Sequence, residues 1–162
     1  MPPSPDLVIA DTGPLIALSR VISLSVLSEI FGQVWLTQTV LAECTARPDC
    51  PEGMTILTAV KEGCLRIRPD APRGLNWDLD PGEASAIAAA LETRARVLID
   101  DRAGRRVAVD LGLLVIGALG VLVRAKQQGK LERVRPLTEH LQATGYFLSD
   151  KVIEDALKLV GE

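Results

Sequence analysis

The stretch LVIADTGPLIAL, residues 7–18, sets the pattern from which the fold is read. Residues 7–10 form a short apolar run, bounded by Pro5 before it and Gly13-Pro14 after it, as expected for a buried strand. Pro14 suits the first turn of a helix over residues 15–18, because the N–H it lacks would have no helical partner there. Asp11 stands where strand gives way to helix.

The same alternation continues outward. Leu24, Leu27 and Ile30 recur at helical spacing until Gly32, and residues 34–36 read as a second strand. Thr37 or Thr39 can cap a helix carrying Val40, Leu41 and Glu43. Residues 47–53 read as loop from their Pro and Gly content, 56–60 as helix and 65–67 as strand. A polar, turn-rich connection over 69–80 leads to an alanine-rich helix over 84–91. Residues 97–99 form another buried strand, ending in Asp100-Asp101. Helix (102–111), strand (113–116) and three helices (119–128, 134–143 and 149–160) complete the chain. Such alternation predicts an α/β protein with a parallel sheet covered by helices on both faces. With no repeat or dividing linker, a single domain over 1–162 is expected.

Aromatic residues make up only 3% of the 162-residue chain, so the core must be aliphatic, which suits buried parallel strands. So few aromatics argue against sequence-blind RNA binding by base stacking, and Trp35 and Trp77 read as packing residues. The net charge of −3 excludes a general nucleic-acid coat and confines any polyanion contact to a local patch. Cys44, Cys50 and Cys64 are odd in number and lack C-x-x-C spacing, which points to reduced thiols in a cytoplasmic protein. No signal-peptide pattern or membrane-length apolar run is seen.

Sites in open α/β sheets form beyond the carboxyl ends of the strands. Asp11 follows the first strand, and Asp100 and Asp101 follow a later one. Glu43 lies one or two helical turns after the 34–36 strand, and Glu83 opens the alanine-rich helix. Carboxylates crowded together repel strongly, and a hard divalent cation, Mg²⁺ or Mn²⁺, resolves the repulsion. Simpler roles compete for each residue. Asp80-Pro81-Gly82-Glu83 has the form of a capping box, one of Asp100 and Asp101 can cap the next helix, and Asp11 can cap the turn at Thr12-Gly13. A D-x-D phosphatase pattern is absent, since the first strand ends Asp11-Thr12-Gly13.

LVIADTGPLIAL resembles the opening of PIN-domain proteins, and VLAEC (40–44) resembles the segment carrying that family's glutamate. LDPGEASAIAAAL (79–91), VLIDDRAGRRVA (97–108), LGLLVIGALGVL (111–122) and the closing GYFLSDKVIEDALKLVGE (145–162) extend the likeness over essentially the whole chain. The resemblance implies a three-layer α/β/α sandwich and a metal-dependent ribonuclease using Mg²⁺ or Mn²⁺. It further implies the toxin of a toxin–antitoxin pair, with RNA as substrate, an antitoxin protein as partner and a homodimer as assembly. By position, Asp11, Glu43, Glu83 and Asp101 match the catalytic acids, with Asp100 the rival of Asp101. Glu83 departs from the aspartate more usual near its position. Asp11 and Asp101 would bind the metal, Glu43 and Glu83 would bind it or orient its waters, and the Thr12 hydroxyl would hold Asp11 or a water.

Eight basic and two acidic residues lie between 102 and 135, a local excess of +6 beside the Asp100-Asp101 edge. Arg102, Arg105 and Arg106 are its best candidates for contacting a phosphate backbone, the competing role being a solvated helix face. A non-catalytic RNA- or protein-binding module with an incomplete metal site is the alternative function. Leu24, Leu27, Ile30 and Phe31, or Val152, Ile153, Leu157 and Leu159, could supply a dimer face, although core packing is their commoner use.

Overall fold

The computed structural model describes residues 6–72 and 77–162. The chain runs β1 (Leu7–Ala10), α1 (Thr12–Ser19), α2 (Ser25–Phe31), β2 (Gln33–Thr37), α3 (Gln38–Cys44), α4 (Pro51–Lys61) and β3 (Arg66–Arg68). It continues through α5 (Pro81–Thr93), β4 (Arg96–Leu98), α6 (Arg102–Asp110), β5 (Val115–Ile116), α7 (Ala118–Gln127), α8 (Arg135–Ala143) and α9 (Asp150–Leu159). All strand pairings are parallel, in the order β3-β2-β1-β4-β5. The chain builds outward from β1 to β3, then crosses back to place β4 on the other side of β1. That reversal puts a crevice between the carboxyl ends of β1 and β4.

The period of two along a strand divides the core into two layers. Val8 and Ala10 face one cluster with Val34, Leu36 and Leu98, packed by residues of α1, α2, α7 and α9. Ile9, Val97 and Ile99 face the other, closed by Ala86, Ile87, Ala89 and Ala90 of α5 and Ala108 of α6. Alanines on α5 let that helix lie close to the sheet. Trp35 and Trp77 pack against this second layer, as expected.

The fold is the α/β/α arrangement read from the pattern, with local corrections. Helix α4 begins at Pro51, inside the stretch read as loop, because Pro51 serves at its first turn. Gly53 is built into that helix, since a Cβ there would lie 2.6 Å from the Cys44 carbonyl oxygen. β3 lies one residue later than read, set by pairing Trp35–Thr37 with Arg66–Arg68. Part of the 69–80 connection, residues 73–76, lies outside the described residues. Leu24, Leu27, Ile30 and Phe31 are buried, so they serve the core and not a dimer face. On α9, Ile153 and Leu157 are likewise buried, whereas Val152 and Leu159 are exposed. Among the described residues, no helix is long and apolar enough to cross a membrane.

Candidate active site

Asp11 continues the sheet past β1: its N–H donates to the Leu98 carbonyl at 2.9 Å, fixing its backbone beside the end of β4. It occupies the N-cap position of α1, but its side chain makes no capping bond. The side chain lies in a residue only 5% exposed. Burial pushes its carboxyl up to about 7, and the charges of Glu83, Glu43 and Asp101 add to this while the Thr12 N–H opposes it. An acid buried without a cation is costly unless something else neutralises it.

Glu43 reaches the same crevice from α3. The Thr12 hydroxyl donates to its Oε2 at 2.6 Å, and the Gly82 N–H donates to Oε1 at 2.9 Å. The Thr12 hydroxyl, expected to hold Asp11 or a water, thus serves Glu43 and not Asp11. Gly82 is needed as glycine here, because a Cβ would overlap the Glu43 carboxylate. Glu83 sits one residue on, its carboxyl raised first by burial and then by Asp101 and Asp80. A hydrogen bond from the Asp80 N–H opposes that rise. The Asp80 side chain makes no cap bond, so the capping box read from the sequence is not closed from that side.

The adjacent acids have separate tasks. Asp101 caps α6, its Oδ2 accepting from the Gly104 N–H at 3.0 Å. Asp100 turns toward α7, where Oδ2 accepts from the Ala118 N–H at 3.0 Å and from the Tyr146 hydroxyl. A Cβ on Gly117 would overlap the Asp100 carboxylate, so this seat also requires glycine. With two donors on one of its oxygens, Asp100 ties β4, α7 and the segment before α9 together. Asp101 spends one oxygen on its cap and stays at the solvent side, which makes it the better placed of the two to meet a ligand.

A cleft of about 680 Å³ is lined by Asp11, Thr12, Glu43, Asp80, Glu83, Asp100, Asp101 and Arg102, with Tyr146 and Phe147 at one side. All five acids expected from the sequence border it. Among the described residues, however, no group of three or more His, Cys, Asp or Glu is poised to hold a metal ion. The donor chemistry fits a hard divalent cation: oxygen donors from several acids, and one acid raised first by burial and then by its acidic neighbours. Mg²⁺ in particular keeps several waters and takes only one or two carboxylates directly, so a converged cage is not required.

The arginines divide. Arg102 lines the cleft, but Arg105 donates to the Ile99 carbonyl at 3.0 Å and borders a neighbouring groove. Arg106 is exposed and lines neither. The rest of the basic stretch is largely engaged. Arg124 pairs with Asp6 at 2.7 Å, Lys126 with Glu162 at 2.9 Å and Lys130 with Glu29 at 3.1 Å. Arg133 lies 3.8 Å from Glu162, and Arg135 lies 3.4 Å from Glu154. Sequence reasoning missed Gly82 and Tyr146, which position Glu43 and Asp100. The only signals were a Gly inside a capping pattern and the chain's single tyrosine.

An acid-lined cleft at the switch point of a parallel α/β sheet defines the class of this protein. The fold is similar to that of a PilT N-terminus domain protein from the hyperthermophilic archaeon Sulfolobus solfataricus P2. That match has a TM-score of 0.51 and 18% identity over 79% of this chain and 96% of the other. Comparison with curated proteins gives no match. Residues 7–162 match the DUF3368 family model, described as a PIN domain, and the chain belongs to that family. PIN domains are generally nucleases and typically use divalent metals.

Proposed function

We propose that this protein is a divalent-metal-dependent endoribonuclease whose active site is the Asp11 cleft. The observation that carries the reading is Asp11 itself: buried, uncapped, and raised to about 7 among further acids at the strand ends. Asp11 and Asp101 would hold Mg²⁺ or Mn²⁺, with Glu43 and Glu83 binding it or orienting its waters. When bound, such an ion polarises a phosphoryl oxygen and makes water a competent nucleophile near neutral pH. Thr12 and Gly82 keep Glu43 aimed into the cleft through their two hydrogen bonds. Arg102, at the cleft, would meet a substrate phosphate.

The test is cleavage of single-stranded RNA in Mn²⁺ by the wild type and Asp11→Asn. Loss of cleavage to background with a retained cooperative fold is expected, and undiminished cleavage by the variant would sink the assignment. The second reading, a non-catalytic binding module, is favoured by the absence of a converged ligand group among the described residues. Mn²⁺ titration discriminates: no binding that depends on Asp11 and Asp101 supports the module. As a toxin, the nuclease would be held by a protein antitoxin, and it would work as a homodimer. Val152 and Leu159 on α9 are exposed.

A further inference from the structure

Of the chain's Phe, Trp and Tyr residues, Phe147 alone is exposed, at 90% of its surface, and it lines the acid cleft. It also lines a second space of about 680 Å³ beside that cleft, walled by β5, α7 and α9 and including Val115, Leu148 and Val152. The cleft and the apolar groove therefore meet at Phe147 and Asp100, which border both.

The segment carrying Phe147 is tied down on both sides. The Tyr146 hydroxyl donates to Asp100, and the Tyr146 N–H donates to the Leu141 carbonyl at 3.1 Å. Gln142 Nε2 donates to the Leu148 carbonyl and to Asp150 Oδ1, each at 3.1 Å. An aromatic ring left exposed at the rim of an acid-lined cleft contributes little to the core. It is suited to a flat apolar group brought there by something anionic.

We propose that Phe147 is a base-stacking platform: it receives the nucleobase of a single-stranded RNA next to the phosphodiester held in the Asp11 cleft. The inference rests on the nuclease reading of that cleft. Placement favours a nucleotide over a protein partner, because Phe147 borders both the acid-lined space, whose carboxylates would hold the metal that a phosphate needs there, and the apolar groove. A stacked base has an aromatic face and a phosphate a short distance away, matching those two spaces. The bonds of Tyr146 and of the Leu148 carbonyl hold the backbone on either side of Phe147, which lowers the ordering cost of binding for that segment.

Stacking on an aromatic side chain changes affinity by about tenfold or more on truncation to alanine. The test uses a defined RNA oligonucleotide and the full chain. Phe147→Ala should raise KM about tenfold with kcat changed less than twofold, Phe147→Trp should keep wild-type KM, and Phe147→Leu should not. An abasic residue beside the cleavage position should raise KM for wild type and leave Phe147→Ala unaffected. Labelled-RNA binding to Asp11→Asn, compared with Asp11→Asn/Phe147→Ala without metal, should show the same tenfold loss. That binding arm separates the two readings: Phe147-dependent binding without cleavage by wild type would keep the platform and end the nuclease assignment. Unchanged KM and binding in Phe147→Ala would overturn the platform. So would wild-type behaviour of Phe147→Leu, or a change in oligomeric state by light scattering in Phe147→Ala, the mark of a protein contact.

Discussion

The acid cleft and the basic stretch at residues 102–135 handle their charges in opposite ways. In the cleft, Asp11 is buried, makes no ion pair among the described residues, and is pushed up to about 7 by burial. In the basic stretch, five of the eight cations are in ion pairs, Lys126 and Arg133 sharing Glu162. Unneutralised charge costs folding energy, so it persists where a ligand completes it; neutralised charge contributes to holding elements together. Most of the basic stretch is thus engaged in ion pairs, whereas the cleft gathers acids around Asp11.

Removing the unneutralised charge should have the largest effect. Asp11 has its carboxyl raised from an ordinary 3.8 to about 7, so the folded state holds the proton more firmly than the unfolded one. Its contribution to stability is fully present below 3.8 and is lost as pH rises through about 7. Metal-free protein should therefore lose up to about 4 kcal/mol of stability from this group between pH 4 and pH 8. Thermal unfolding across that range in chelator checks it, with Asp11→Asn expected to remove this part of the slope. An identical slope in the variant would break the contrast at its acidic end.

The neutralised side gives a smaller effect of the opposite kind. Burial alone would raise the Glu162 carboxyl, but hydrogen bonds from the Val134 N–H, Lys126 and the Arg135 N–H bring it down to about 2. Its oxygens accept from Val134 at 2.6 Å and Arg135 at 3.1 Å, joining α7, the start of α8 and the end of α9. Glu162→Ala should cost about 3 kcal/mol in denaturant unfolding while leaving RNA affinity per folded molecule unchanged. Weaker RNA binding at full folding would mean that the basic stretch is more than a brace. Because the folded pKa is depressed, the Glu162 contribution is present above about 4.5 and lost as pH falls through about 2.

The smallest effect separates two arginines on one helix. Arg102 borders the cleft and Arg106 does not. Arg102→Ala should weaken RNA binding a few-fold and lower its salt dependence by about one phosphate contact, with Arg106→Ala indistinguishable from wild type. Equal losses from both would restore the broad basic patch that the sequence suggested.

What was legible in the sequence is what local patterns encode. Alternating apolar runs and helical periods predict parallel strands under helices, and a scarcity of aromatics predicts an aliphatic core; both match the structure. Asp11 and Asp101 were legible because a strand end is a local feature, and strand ends of such sheets converge. What remained open depended on contacts between distant parts of the chain. Thr12 meets Glu43 31 residues away, Tyr146 meets Asp100 46 residues away, and Arg124 meets Asp6 118 residues away.

Sequence by itself determined the layering, the strand-end acids and the absence of aromatic bulk, since side-chain period and composition act over a few residues. Tertiary structure alone decided that Asp100 braces while Asp101 meets the solvent, that Arg105 turns inward, and that the one exposed aromatic residue stands beside the acids. Those outcomes follow from the strand order β3-β2-β1-β4-β5 and from which donors reach each carboxylate, and no local pattern carries either.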